Sequence, residues 1–240
     1  MSQKIQHIFN PPLIKAKFIK RYKRFFVDAE GENGDILTAH CANTGSMKGL
    51  LEAGATCYLR DVADPSRKLK YSFEMVDAGT SIVGVNTAIP NKMVFDAIEA
   101  DAIPELTGYA TAKREVKYGK EGKSRIDVLL EDPIKGKCYV EVKNTTLREG
   151  EAAQFPDAVT SRGLKHLEEL IAEVKNGNRA VMFYFTQRSD CTFFEPAESI
   201  DPAYSTKLKE AVKEGVEVVC YQCLLTAESI TLDKKLPVKI

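Results

Sequence analysis

The chain has 240 residues, with 34 Lys and Arg against 34 Asp and Glu and a formal net charge of zero at pH 7. That length allows one large domain or two modest ones with an ample core, and neutrality gives no whole-molecule field announcing a polyanionic partner. There is no charged-then-apolar leader and no apolar run of transmembrane length, and the six cysteines lack the spacing of a small secreted domain, so the sequence reads as a cytosolic protein with reduced thiols and no membrane partner.

The charge is unevenly spread. Lys4, Lys15, Lys17, Lys20, Arg21, Lys23 and Arg24 all precede the first acid, Asp28. Residues 13–27 alternate apolar and basic for part of their length, which predicts a strand with one buried and one basic face. Gly31–Gly34 marks a turn, and Asp35–Cys41 reads as the partner strand. Asn43-Thr44-Gly45-Ser46-Met47 is a small polar loop. Its small residues suit an anion before a helix start, but no Gly-Lys-Ser/Thr closes it, and a tight turn with Thr44 or Ser46 as N-cap is the plainer reading. Further strands are expected over 55–62, 67–76 and 80–85. Several short strands with one small helical insert predict an OB-like small β-barrel over residues 1–85. Such barrels bind single strands through basic grooves and exposed aromatics, which singles out Lys17, Lys20, Arg21, Tyr22, Lys23 and Arg24 as nucleic-acid-binding residues. A solvated face that keeps the protein soluble explains the same residues equally well.

Residues 86–240 form the second predicted domain. Pro90 and the periodic set Met93, Val94, Ala97 and Ile98 mark a helix to about Ala102. Tyr109–Tyr118 is a strand containing Glu115. The next two strands, Ser124–Glu131 and Lys137–Asn144, are joined by a turn at Asp132-Pro133 and Lys135-Gly136. Alternation puts Ile126, Val128 and Leu130 on one face with Asp127 on the other, and Cys138, Val140 and Val142 on one face with Tyr139, Glu141 and Lys143 on the other. Side by side, the two strands would bring together Asp127, Glu141 and Lys143. Paired carboxylates raise one another's pKa unless a cation intervenes, and a hard ion such as Mg²⁺ or Mn²⁺ suits them. Such an ion activates water and polarises a phosphoryl oxygen, and the Lys143 ammonium would stabilise developing charge. Spacing alone favours an ordinary solvated hairpin with a cross-strand ion pair worth a few tenths of a kcal/mol.

Residues 148–156 read as a loop. A helix over 161–176, with Ser161 as N-cap, carries the apolar stripe Leu164, Leu167, Leu170, Ile171 and Val174. Arg162 and His166 lie off that stripe, one turn apart near the helix start, where they could hold a phosphate, unless His166 is an ordinary surface histidine. Residues 179–186 are apolar enough for a strand buried on both faces. A helix over 202–215 capped by Asp201, a strand over 217–225 and a polar-edged tail with one short strand complete the chain. Cys220 and Cys223 fall on opposite strand faces without a second pair, so they read as buried thiols and not a zinc site.

The order of these elements, with Glu115, Asp127 and Glu141 on three consecutive strands, resembles the restriction-endonuclease-like PD-(D/E)XK nuclease core. A closer resemblance covers essentially the whole chain. His40–Met47, Ser124–Asp127, Val140–Asn144, Phe155-Pro156-Asp157 and Arg162-Gly163 with His166-Leu167 resemble the sugar fermentation stimulation protein A family. Ala42 stands where Pro is expected, and Val159 where Pro or a small residue is expected; both lie in loops. The resemblance implies an α+β chain, an OB-like barrel followed by a restriction-endonuclease-like α/β domain with a mixed central sheet. It implies DNA binding without clear sequence preference, and regulation of sugar metabolism genes, maltose genes in particular, which no residue here shows. Carried over by position, it implies Asp127 and Glu141 as ligands of Mg or Mn, Lys143 as the catalytic-type lysine and Glu115 as a further acid. The expected partner is DNA, or RNA, with a homodimer as the assembly to look for. Two functions stay open: a metal-dependent nuclease, and a non-catalytic nucleic-acid-binding regulator that keeps the nuclease fold. A module with no nucleic-acid role is disfavoured by the basic and aromatic first strand.

Overall fold

The computed structural model describes residues 4–119, 122 and 124–240. The first strand, β1 (Gln6–Ile8), pairs with the last strand of the chain and not with its sequence neighbours. The barrel follows: β2 (Ile14–Tyr22), β3 (Phe26–Glu30), β4 (Ile36–His40), β5 (Thr56–Asp61), β6 (Tyr71–Asp77) and β7 (Ile82–Gly84). Their order is β4-β3-β2-β5-β6-β7, and a parallel β4–β6 pairing closes the first five into an OB barrel. Phe18, Val27, Leu59 and Phe73 fill it.

Residues 13–27 are therefore not one strand. The chain reverses between β2 and β3 at Lys23 and Arg24, which adopt φ +46 and +63. Tyr22 pairs with Phe26, so the loop is the three residues Lys23–Phe25, and two of them hold a positive φ usually left to Gly or Asn. Here side-chain anchoring holds it: Arg21 Nε donates to Arg24 O at 3.0 Å.

The second unit begins with α1 (Ile89–Glu99). It continues through β8 (Thr111–Tyr118), β9 (Ser124–Asp132), β10 (Gly136–Thr145), β11 (Leu147–Glu149), β12 (Ala152–Phe155), α2 (Ser161–Lys175), β13 (Arg179–Thr186), β14 (Phe193–Pro196), α3 (Pro202–Lys213), β15 (Glu217–Leu225) and β16 (Ser229–Lys235). A mixed seven-stranded sheet runs β1-β16-β15-β13-β10-β9-β8. The β10–β13 and β13–β15 pairs are parallel and the rest antiparallel. The stretch 148–156, expected as a loop, holds most of β11 and all of β12; β11 pairs with β12 and β12 with β14 in a small sheet of their own.

Central β13 is buried on both faces, as its apolar run demands. Val181, Phe183 and Phe185 pack towards α1, and Met182 and Tyr184 towards α2 and α3. The α1 core also takes in Tyr58 and Met75 from the barrel. Backbone hydrogen bonds continue the junction: Gly84 N donates to Gln187 O at 2.8 Å, and Gln187 N to Thr145 O at 3.1 Å. Among the described residues no helix is long and apolar enough to cross a membrane.

One face assignment is corrected. Val128 and Leu130 pack on the α1 side, whereas Ile126 joins Leu129 on the α2 side. Neighbouring β8 switches at the same level, with Ala112 on the α1 side and Val116 and Tyr118 on the α2 side. The cause lies at Glu115, whose φ of +54 interrupts the pleat. It falls between Arg114, paired with Val128, and Val116, paired with Ile126, hence opposite Asp127.

Candidate active site

Register brings the focal strands together as the alternation requires. Val140 pairs with Val128, and beyond this point the ladder opens. Asp127 fills the opening: its Oδ2 accepts the Val142 N–H at 2.7 Å, and its Oδ1 accepts from Asn91 Nδ2, on the first turn of α1, at 2.6 Å. Burial, then the neighbouring Glu141 charge, push the Asp127 carboxyl up to about 7, against the pull of the Val142 N–H and Lys143. Glu115 adds a smaller upward push. Its side chain is exposed at the sheet edge, outside the cleft lining described below.

Glu141 lies two strand positions before Lys143 on the same face and is only 2 % exposed. Lys143 Nζ donates to Glu141 Oε1 at 2.7 Å, and His166 Nδ1 contacts the same oxygen. His166 is buried on α2, not a surface histidine. Its Nε2 accepts from Arg162 Nε at 3.3 Å. Its Nδ1 also lies 3.0 Å from Lys143 Nζ, so Glu141, Lys143 and His166 form one cluster. Burial pushes the Glu141 carboxyl up, but the Lys143 ammonium and His166 outweigh it and hold the group below its ordinary value. The Arg162–His166 pair expected to hold a phosphate is thus partly committed to orienting a carboxylate.

The helix carrying this pair is fixed by Thr160, whose hydroxyl accepts from Gly163 N at 3.0 Å, so the N-cap is Thr160 and not Ser161. Asp201 caps α3 and also accepts the Thr160 N–H at 2.9 Å, which ties the starts of the two helices together.

These groups face a cleft of about 520 Å³ between the two domains. Its lining includes Arg24 from the barrel turn, Asn43–Gly45 from the polar loop, Asp127, Glu141 and Lys143 from the sheet, and Arg162 from α2. The polar loop caps no helix, and the anion its backbone meets is the protein's own Asp157 carboxylate. It docks on Asp157: Ser46 Oγ donates to Asp157 O at 2.6 Å, and Met47 N to Asp157 Oδ2 at 2.9 Å. Gly45 is required by proximity, because a Cβ there would lie 2.7 Å from both Asp157 carboxylate oxygens. Arg21, expected on nucleic acid, braces this loop instead, donating to Gly45 O at 2.8 Å and Asn43 O at 2.7 Å. Lys17, Lys20, Tyr22 and Lys23 do not line the cleft. Lys17 bonds Thr56, Lys20 approaches Asp28, and Tyr22 stacks on Phe26. Asn91 escaped sequence reasoning, where an Asn directly after Pro90, off the apolar stripe, was the available signal; Asp157 was singled out only within the Phe155-Pro156-Asp157 motif, with no role given.

The donor set suits one kind of cation. Glu141 Oε2 is buried with no hydrogen-bond partner among the described residues. Asp127 lies beside it with a carboxyl raised by burial and by the Glu141 charge. No group of three or more His, Cys, Asp and Glu poised for a metal occurs among the described residues. Two carboxylates fit a hard ion that keeps several waters, not a closed zinc cage. All six cysteines, Cys220 and Cys223 included, are free and buried.

The comparisons with known proteins follow the same two units. Residues 19–85 match the family described as the SfsA N-terminal OB domain, and residues 88–229 the sugar fermentation stimulation protein RE domain. The chain is 51% identical over 229 residues to a sugar fermentation stimulation protein homolog of Rhodospirillum centenum, covering 95% of this chain and 97% of that one. A homolog from Paramagnetospirillum magneticum is 50% identical over 224 residues, covering 93% and 94%. The fold matches Pyrococcus furiosus SfsA, solved in complex with Ca²⁺, with a TM-score of 0.88 and 31% identity over 99% of this chain and 100% of that one. With both units matched in order and relatives half-identical along nearly the whole length, the chain belongs to the sugar fermentation stimulation protein family.

Proposed function

We propose that this protein binds DNA without marked sequence preference and hydrolyses its phosphodiester bonds, with Mg²⁺ or Mn²⁺, at Asp127, Glu141 and Lys143. The observation that carries the reading is the convergence of two buried or half-buried carboxylates and one ammonium at the floor of a cleft walled by Arg24 and Arg162. Asp127 and Glu141 are the groups to hold the cation, and the Ca²⁺ in the complex of the Pyrococcus furiosus relative supports a hard ion in this family. When bound, such an ion polarises a phosphoryl oxygen and lowers the pKa of a water. The protein supplies the rest. Lys143 places positive charge where the phosphoryl group becomes more anionic. Arg162 and Arg24 offer guanidinium donors to flanking phosphates. His166 and Asn91 hold the two carboxylates in place.

A second reading, a non-catalytic nucleic-acid-binding regulator of sugar or maltose metabolism genes, has one observation in its favour. Glu141 Oε1 is already neutralised by Lys143 and His166 without any cation. Incubation with linear DNA, supercoiled DNA and RNA, with and without Mn²⁺, separates the two. Cleavage by the wild type that needs Mn²⁺ and is lost in Glu141→Ala supports the nuclease. No cleavage of any substrate, with binding retained by Glu141→Ala, leaves the regulator. Binding that does not weaken with salt sinks both, since phosphate contacts release counterions.

A further inference from the structure

We infer that the ligand of this cleft is single-stranded DNA with at least one base unstacked, and that a continuous duplex does not reach its floor. The inference rests on the nucleic-acid reading above and narrows its substrate class.

Depth comes first. Glu141 is 2 % exposed and the Lys143 side chain 12 %. A phosphate that meets them must enter a cleft of about 520 Å³, within the range of about 300–1,000 Å³ that holds small-molecule ligands. That is room for a nucleotide or two. The barrel loop and the loop before α2 both line the cleft and are fastened to each other at Ser46, Met47 and Asp157, with Gly45 pressed against the Asp157 carboxylate.

The walls cannot simply part to admit a duplex. Tyr58 and Met75 of the barrel are packed with Ile89 and Met93 of α1 in one core. Gly84 is bonded to Gln187, and Thr80 Oγ1 donates to Asp190 Oδ2 at 2.5 Å, so the domain junction is stitched at several points.

The lining then says what enters. Arg24 and Arg162 are cations for a backbone, and the same lining includes apolar surface from Phe155 and Val159. Val159 is 78 % exposed. A lone exposed valine means little on an open surface. In a cleft where Arg24, Lys143 and Arg162 stand beside Asp127, Glu141 and Asp157, it offers a face to a base, and only an unstacked base has a free face to return. The barrel supplying part of that lining is of the OB type, whose grooves follow single strands.

Fluorescence anisotropy with one short labelled DNA oligonucleotide, presented single-stranded or annealed to its complement, tests this in Ca²⁺ and at fixed salt. The single strand is expected to bind at least about tenfold more tightly than the duplex. Val159→Glu, a substitution at an exposed site that leaves the core intact, is expected to weaken the single strand about tenfold and leave the duplex unchanged. Duplex binding as tight as or tighter than the single strand overturns the inference while leaving nucleic-acid binding intact. Equal weakening of both forms by Val159→Glu also overturns it. No binding of either form overturns the functional reading as well.

Discussion

Asp127 shows how much a single residue can be asked to do. Its two oxygens accept N–H groups from two different elements, which favours the ionised form, while burial and Glu141 oppose it. The convergence of Asp127, Glu141 and Lys143 was legible because strand alternation is strict, with a period of two. The face switch at Glu115 was not, since nothing in Glu marks a residue for positive φ. Nor was the Glu141–His166 contact, which joins residues 25 apart across an intervening small sheet. Away from the site, Asp190 makes a prediction about pH. Burial pushes its carboxyl up, but hydrogen bonds from Arg188 and Thr80 and the charges of Arg188 and Arg148 bring it down to about 2. A folded-state pKa below the ordinary 3.8 contributes stability that is present above 3.8 and lost as pH falls towards 2. Asp190→Asn should therefore cost about 1–2 kcal/mol at pH 7, allowing for solvent screening, and the gap to wild type should narrow below pH 3.8 and close near about pH 2. Urea midpoints across that range read it directly. A gap that does not change with pH would rule out the linkage.

At the scale of elements, α2 is the part that couples fold to site. It carries Arg162 and His166, its start is capped by Thr160, and its apolar stripe packs on β13. Its existence and stripe could be read from the 3.6 period. The cap was displaced by one residue, because Thr160 and Ser161 are both good caps and only the extended backbone of Thr160 distinguishes them. Thr160→Ala should cost about 1 kcal/mol, seen as a lower urea midpoint at unchanged slope, with Thr160→Ser close to wild type. An unchanged midpoint for Thr160→Ala would mean that packing alone positions the helix. The missed elements share a physical reason. The β2–β3 hairpin turns on Lys23 and Arg24, which carry none of the usual turn chemistry and are held by Arg21. Strands β11 and β12 are three and four residues long, paired with each other and, through β12, with distant β14, so no local periodicity announces them.

At the scale of the whole molecule, the barrel is set within the second unit as much as before it. The chain begins as the edge strand β1 of the seven-stranded sheet, builds the barrel, and then returns to complete that sheet. A three-residue strand has too little pattern to be read in advance, and its pairing with Ser229–Thr231 is a long-range fact. The consequence is a cleft that belongs to neither domain alone. The barrel gives Arg24 and the Asn43–Gly45 loop, and the sheet gives the acids and the lysine. The hydrolytic reading of this cleft depends on a divalent cation at Asp127 and Glu141. Calorimetric titration of Mn²⁺ into the cation-free protein tests that claim most directly. The account predicts saturable binding of one cation per chain in the wild type, and loss of that heat in Glu141→Gln, whose near-ultraviolet circular dichroism stays native. Binding of equal heat and stoichiometry in Glu141→Gln, or no binding by the wild type, would contradict it.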